Sequence, residues 1–152
     1  MFARRLRRLV RAALLGVSIA AMSGGFSASA DDTRFLSDLP TKYPEAYSNW
    51  IRSLPYAINP MPWLIQFHGV ASPLRDVTIT GEHLKFGTVC LPRDCGRNIA
   101  GVAFSATEPR IFAVVHLSSL SGAKSLMAIG QMNERESACV DKLINAYTLT
   151  SC

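Results

Sequence analysis

The sequence predicts an α+β fold, an antiparallel β-meander sheet of about five strands packed with N- and C-terminal helices. Three observations predict it. Apolar residues recur at helical spacing near residues 44–54, and they do so again near 133–147. Between these stretches lie short β-prone runs, each parted from the next by turn residues.

Residues 31–40 read as a frayed leader. Pro44 to Leu54 reads as a helix, because Pro44 suits a first turn and Glu45 suits the positive end of the helix dipole. Tyr47, Trp50, Ile51 and Leu54 then make one apolar face. Pro55, Pro60 and Pro62 are expected to end that helix and impose an extended stretch, with Trp63, Leu64 and Ile65 buried. From Val70 the pattern changes to strands. Asp76 to Thr80 alternates, with Val77 and Ile79 on one side, and Gly81-Glu82 makes a turn. His83 to Cys90 follows, with Leu84, Phe86 and Thr88 on one side. Past Cys95 come a strand at Ile99 to Ser105, a turn at Ala106 to Pro109 and a strongly β-prone run from Arg110 to Leu117. Ser118 to Lys124 is a polar loop, and Ser125 to Ile129 is a last strand. Asn133, with Glu136 three residues on, has the form of a helix cap. Val140, Leu143, Ile144 and Tyr147 form the apolar face of the helix behind it.

Residues 1–30 read as a secretory signal peptide. Arg4, Arg5, Arg7, Arg8 and Arg11 form a basic head, Ala12 to Met22 is apolar or small, and Ala28-Ser29-Ala30 is a small-x-small cleavage pattern. The apolar run is shorter than the roughly 20 residues a membrane span needs. Residues 31–152 are then a single domain with no membrane attachment after cleavage. The chain has 16 Lys and Arg against 11 Asp and Glu, and all five charges of the signal are Arg. The working domain is therefore about neutral, and Arg93 with Arg97 is too small a basic cluster to track nucleic-acid phosphates.

Four cysteines remain: Cys90, Cys95, Cys139 and Cys152. An even count in an exported chain argues for two disulfides, and the periplasm is the expected compartment. Four cysteines allow three connectivities. Cys90–Cys95 and Cys139–Cys152 are preferred because each pair is local, although the second requires the last helical turn to unwind.

Enzyme and cofactor readings find little support. His68, His83 and His116 lie at no metal-ligand spacing with one another or with a cysteine. There is no phosphate-cradling glycine loop, nucleophile elbow or Cys-x-x-Cys. No metal and no cofactor is expected. Asp76, Glu82 and Glu108 fall at turns or strand ends, where solvated charges explain them.

The informative segment is Cys90-Leu91-Pro92-Arg93-Asp94-Cys95, between two predicted strands. A disulfide across so small a ring adds roughly 2 kcal/mol of global stability. Its larger effect is stiffness. Pro92 fixes one backbone angle, Gly96 offers a tight exit, and Arg93 with Asp94 is expected at the tip. A preorganised loop loses little entropy on docking, so it binds well.

With Gly96 included, this segment resembles the Cys-Lys-Pro-His-Asp-Cys-Gly loop of the inhibitor of vertebrate lysozyme (Ivy) family. Met61-Pro62-Trp63-Leu64 is similar to the Pro-Ala-Trp-Val segment after that family's first helix. Pro73 to Thr80 resembles its Thr-Pro-x-x-Thr-Val-Thr strand, and Ile99 to Phe104 and the strand around Phe112 align in order and spacing. The resemblance spans about residues 40–130. It implies a periplasmic, non-catalytic inhibitor that inserts loop 90–95 into the active-site cleft of c-type lysozyme. Arg93 stands where the family has His, and Leu91 where it has Lys. Asp94 matches the family and either bonds within the loop or meets donors in the cleft, the first being preferred. The Cys139–Cys152 pair lies outside the family pattern. The expected partner is lysozyme. The alternative is a periplasmic module of the same fold that recognises another partner, such as an endogenous peptidoglycan-cleaving enzyme. The sequence leaves the oligomeric state open, a homodimer included.

Overall fold

The computed structural model describes residues 34–58, 61–118 and 124–152. The expected signal peptide at 1–30, Pro60 and most of the expected polar loop lie outside the described residues. The fold is α+β, an antiparallel sheet with helices from the two ends of the chain.

The segment expected to be a frayed leader is core. A 3-10 turn at Leu36–Asp38 runs into α1 (Leu39–Lys42), and Leu36 and Leu39 are fully buried. The Asp38 carboxylate accepts the backbone N–H groups of Arg34 and Phe35 at 3.0 Å each. The Arg34 carbonyl accepts the Leu74 amide at 2.7 Å, which ties the segment to the sheet.

Helix α2 (Pro44–Ser53) starts at Pro44 as expected, but its buried stripe is set by Ala46 and Trp50. Ile51, expected on the apolar face, is 42% exposed. Trp50 decides the rotation. Its indole N–H donates to the Ile65 carbonyl at 3.2 Å, and its ring stacks on Phe67 at 5.3 Å. The proline-rich stretch is not extended. It makes a 3-10 turn at Tyr56–Ile58 and a short helix, α3 (Pro62–Ile65). Pro62 is at the first helical position, where a missing N–H costs nothing. Trp63 and Leu64 are buried as expected, while Ile65 is only half-buried.

The strands are β1 (Val70–Ala71), β2 (Arg75–Ile79), β3 (Glu82–Cys90), β4 (Ile99–Phe104), β5 (Ile111–Ser118) and β6 (Lys124–Gly130). Their order is β1-β3-β4-β5-β6, with β2 also on β3, and all pairs are antiparallel. β1 and β2 thus share one edge of β3, with Ala71 opposite Val89 but Arg75 opposite Phe86. Ser72 bridges this one-residue step. Its amide donates to the Thr88 carbonyl and its hydroxyl accepts the Thr88 amide, both at 2.9 Å. The β2–β3 turn centres on Thr80 (φ 48°) and Gly81 (φ 91°), one residue before the expected position. Two positive φ angles are what a two-residue hairpin turn of matching twist demands.

Alternate residues of β4 and β5 feed two cores. Val102, Phe104, Ala113 and Val115 pack with the N-terminal helices. Ala103, Phe112 and Val114 pack with α4 (Glu134–Asn145). Asn133 caps α4 as expected: its side chain accepts the Glu136 amide at 2.9 Å, and Glu136 accepts the Asn133 amide at 2.8 Å. The helix comes close to β4, since a Cβ at Gly101 would lie 2.5 Å from Ile144 Cγ1.

Helix α4 stops at Asn145, so Tyr147 leaves the expected apolar face and is 66% exposed. Arg75 explains the stop. Its guanidinium donates to the carbonyls of Leu143 and Leu149, so it satisfies a helix-end acceptor and turns the chain back. The tail then runs parallel to β2. The Thr78 amide donates to the Thr150 carbonyl (2.8 Å), the Cys152 amide to Thr78 (3.0 Å) and the Thr80 amide to Cys152 (3.0 Å). The disulfide Cys139–Cys152 pins this tail to α4. An edge strand that would otherwise offer free backbone groups is thereby covered.

Two outcomes are expected. Gly101→Ala forces overpacking against Ile144 and lowers stability by about 1–3 kcal/mol in denaturant titration; an unchanged midpoint would refute the close approach. Replacing Cys139 and Cys152 with Ser lowers stability by about 3 kcal/mol and speeds amide exchange at Thr78 and Thr80. Exchange as slow as in the parent would show that the tail holds without the bridge.

Candidate functional site: a disulfide-closed loop at one end of the sheet

The loop joins β3 to β4, whose last pair is Cys90 opposite Ile99. Cys90 is bonded to Cys95, with 4.9 Å between their Cα atoms. The Asp94 amide donates to the Leu91 carbonyl at 3.0 Å, which makes a turn with Pro92 and Arg93 at its centre. Arg93 is left-handed at φ 69°. A Pro-led turn with positive φ at its third residue is the type II arrangement, a position that favours glycine. The expected tight exit at Gly96 is not what shapes the loop. Gly96 has open space around it and no left-handed angle, so the strained position is Arg93 instead.

A polar knot forms the base. The Asp94 carbonyl accepts the amides of Arg97 (3.0 Å) and Asn98 (2.9 Å). The Asp94 carboxylate accepts Arg97 Nε at 2.7 Å and Asn98 Nδ2 at 2.6 Å. Asn98 is buried and also accepts the Ser118 amide at 3.1 Å, which anchors the loop to the end of β5. Its carbonyl accepts the Leu91 amide at 3.0 Å. Asp94 therefore works inside the loop and is not displayed at the tip. The hydrogen bond from Arg97 is the main reason its carboxyl lies below the ordinary range; partial desolvation opposes it, and the Asn98 bond and the Arg97 charge reinforce it.

Of the remaining loop residues, Leu91 is half-buried against the N-terminal core, and Pro92 and Arg93 are exposed. No partner for the Arg93 guanidinium exists among the described residues. The structure thus brings Cys90, Leu91, Pro92, Arg93, Asp94 and Cys95 together as one closed unit, and Arg93 is the charge it offers outward.

Three polar groupings were not legible in the sequence. Arg110 bridges Glu82 and Glu136, the latter at 2.7 Å, and its guanidinium lies 4.7 Å from the centre of the Phe112 ring. Glu82 is therefore paired, contrary to the expectation of a solvated charge. Burial works against ionisation of Glu136, but the Arg110 bond, the Asn133 amide and the Arg110 charge outweigh it and hold its carboxyl low. Its role as a capping residue could be read from spacing, whereas its partner Arg110 could not. His116 Nε2 meets Asp141 at 2.6 Å between β5 and α4. Thr78 Oγ1 and His83 Nδ1 lie 3.2 Å apart across β2 and β3, a hydroxyl–imidazole contact that the sequence did not suggest. Both residues of this contact lie opposite each other in the sheet register, and no carboxylate orients the ring among the described residues. No cluster of three His, Cys, Asp or Glu suited to a metal occurs among the described residues. No helix among them is long and apolar enough to cross a membrane.

No protein-family model and no curated protein sequence matches the chain.

The Asp94 knot has a pH signature. A carboxyl lowered in the folded state stabilises the fold above its unfolded value, and that contribution is lost as pH falls through the folded value. The side-chain NMR signals of Asn98 Nδ2 and Arg97 Nε should shift with a midpoint below the ordinary aspartate value. Asp94→Asn should abolish the transition. A midpoint at or above that value in the parent protein contradicts the knot.

Proposed function

We propose that the protein is an exported, non-catalytic inhibitor of c-type lysozyme, acting in the periplasm to protect peptidoglycan. Loop 90–95 enters the active-site cleft, and Arg93 pairs with the carboxylates there. The observation that carries this reading is Arg93: exposed, without a partner among the described residues and left-handed at the tip of a disulfide-closed loop. Lysozyme cleaves with two carboxyl groups in a cleft. Arginine offers a permanently charged planar fork that fits carboxylates. Backbone strain at a non-glycine residue persists where surroundings over-determine it, and it gathers at functional sites. The resemblance to the Ivy loop supplies the identity of the partner. The paired cysteines suit the oxidising compartment that the expected signal peptide leads to.

One observation favours a second reading, a binding module of the same fold directed at another partner, such as an endogenous peptidoglycan-cleaving enzyme. Leu91 replaces the family's Lys and packs against the core, so the tip carries a single cation. Cell-wall lysis by c-type, g-type and i-type lysozymes, followed with and without micromolar oxidised protein, separates the two. Slowing of the c-type enzyme supports the first reading, and slowing of none supports the second.

Truncating one partner of a buried interfacial charge pair costs about 2–5 kcal/mol, so Arg93→Ala should weaken inhibition at least tenfold. Arg93→Gly should weaken it equally while relieving about 1 kcal/mol of backbone strain, giving a thermal midpoint no lower than the parent's. Full inhibition by both variants rejects the role of Arg93.

A further inference from the structure

The loop has a neighbour that the sequence did not single out. Phe67, two residues past the end of α3, is left-handed at φ 55° and its ring is buried. Among the described residues only Phe67, Thr80 and Arg93 are left-handed without being glycine, and Thr80 belongs to a hairpin turn. The other two flank the same end of β3. The Phe67 ring stacks on Trp50, while His68 beside it is exposed. Gly69 then presses against the base of the loop. A Cβ there would lie 2.2 Å from the Cys90 carbonyl oxygen, so only glycine permits the approach. Val70 pairs with Cys90, its carbonyl 3.3 Å from the Cys90 sulfur, and it is 57% exposed.

This arrangement places an apolar side chain, Val70, about one strand spacing, roughly 5 Å, from Cys90, with the exposed imidazole of His68 two residues before it in the chain. The charges of the loop are Arg93, Arg97 and Asp94, and Asp94 is taken up by Arg97. The loop itself therefore carries net positive charge beside an apolar step. We infer that His68 and Val70 form a second contact strip, continuous with the loop, for the same partner: a protein cleft with ionised carboxylates at its floor and an apolar side chain on its lip. The inference rests on the inhibitor reading. Charge complementarity argues for the floor, and the continuity of Val70 with Cys90 argues for the lip.

The sheet supplies a matched control. Val70, Cys90, Ile99, His116 and Leu126 lie opposite one another on successive strands. Leu126 is 56% exposed, close to Val70, but lies three strand spacings beyond Cys90 on the other side, about 14 Å away. Inhibition of c-type lysozyme is measured with the oxidised protein, Val70→Asp, Leu126→Asp and Arg93→Ala, each with its thermal midpoint. Val70→Asp sets a carboxylate and a lost apolar contact against the partner, and is expected to weaken inhibition about tenfold or more. Leu126→Asp is expected to stay within about twofold of the parent. Where Val70→Asp melts early, Val70→Thr keeps the side-chain shape, and its expected loss is about fourfold, the worth of one buried methyl. If Arg93→Ala loses inhibition while the Val70 variants match Leu126→Asp, the strip is overturned and the loop reading stands. If the parent protein does not slow lysozyme, the inhibitor reading fails and the strip fails with it.

Discussion

Strands β4 and β5 are buried on both faces, and the rest of the architecture follows from that constraint. A sheet whose central strands are apolar on each side must be covered twice. The N-terminal helices cover one face through Trp50, Leu64 and Phe67, and α4 covers the other through Cys139, Val140 and Leu143. Gly101 lets α4 come close enough to do so. The helical segments at the two ends of the chain are therefore two halves of one enclosure around a shared sheet.

Covering both faces leaves the sheet's edges and ends as the places where the chain can vary. The β2 edge is closed from within by the C-terminal tail, which Arg75 turns and Cys139 tethers. At the opposite end Arg110 pairs with Glu82 and with Glu136 at the start of α4, and these pairs tie sheet to helix. The other end carries the β3–β4 loop, with Asn98 fastening it to β5. Structural charges are thus satisfied at one end, and an unsatisfied one, Arg93, is offered at the other.

The loop is held by two independent devices. The disulfide fixes its ends, while the Asp94 knot fixes its base through three backbone and two side-chain hydrogen bonds. That redundancy explains how a non-glycine residue stays left-handed at the tip: neither end nor base can relax to relieve it. Rigidity of this sort lowers the entropy lost on docking. It suits a binder that must present one side chain in one geometry. The Phe67–Val70 segment braces the loop from the other side of β3, with Gly69 as the point of contact.

Much of this was legible in the sequence, because periodicity and capping chemistry are local. The α+β class, the start of α2, the Asn133–Glu136 cap, the β-prone runs and the locality of each cysteine pair all rest on residues near one another in the chain. Other features rested on distant partners and could not be read. Leu36 is core because it meets the sheet at Gly87, and Ile51 is exposed because Trp50 reaches Ile65 and Phe67. Within the loop, the sequence identified the closed ring and the chemical promise of Arg93. It placed the tight turn at Gly96, since composition marks glycine as permissive but not where the chain will need that freedom. Only the tertiary structure decided that Arg93 would take the strained position, that Asp94 would turn inward to Arg97 and Asn98, and that Gly69 and Val70 would meet the loop at Cys90. Each of those outcomes depends on hydrogen bonds and contacts between strands, and strand pairing is settled by the fold as a whole.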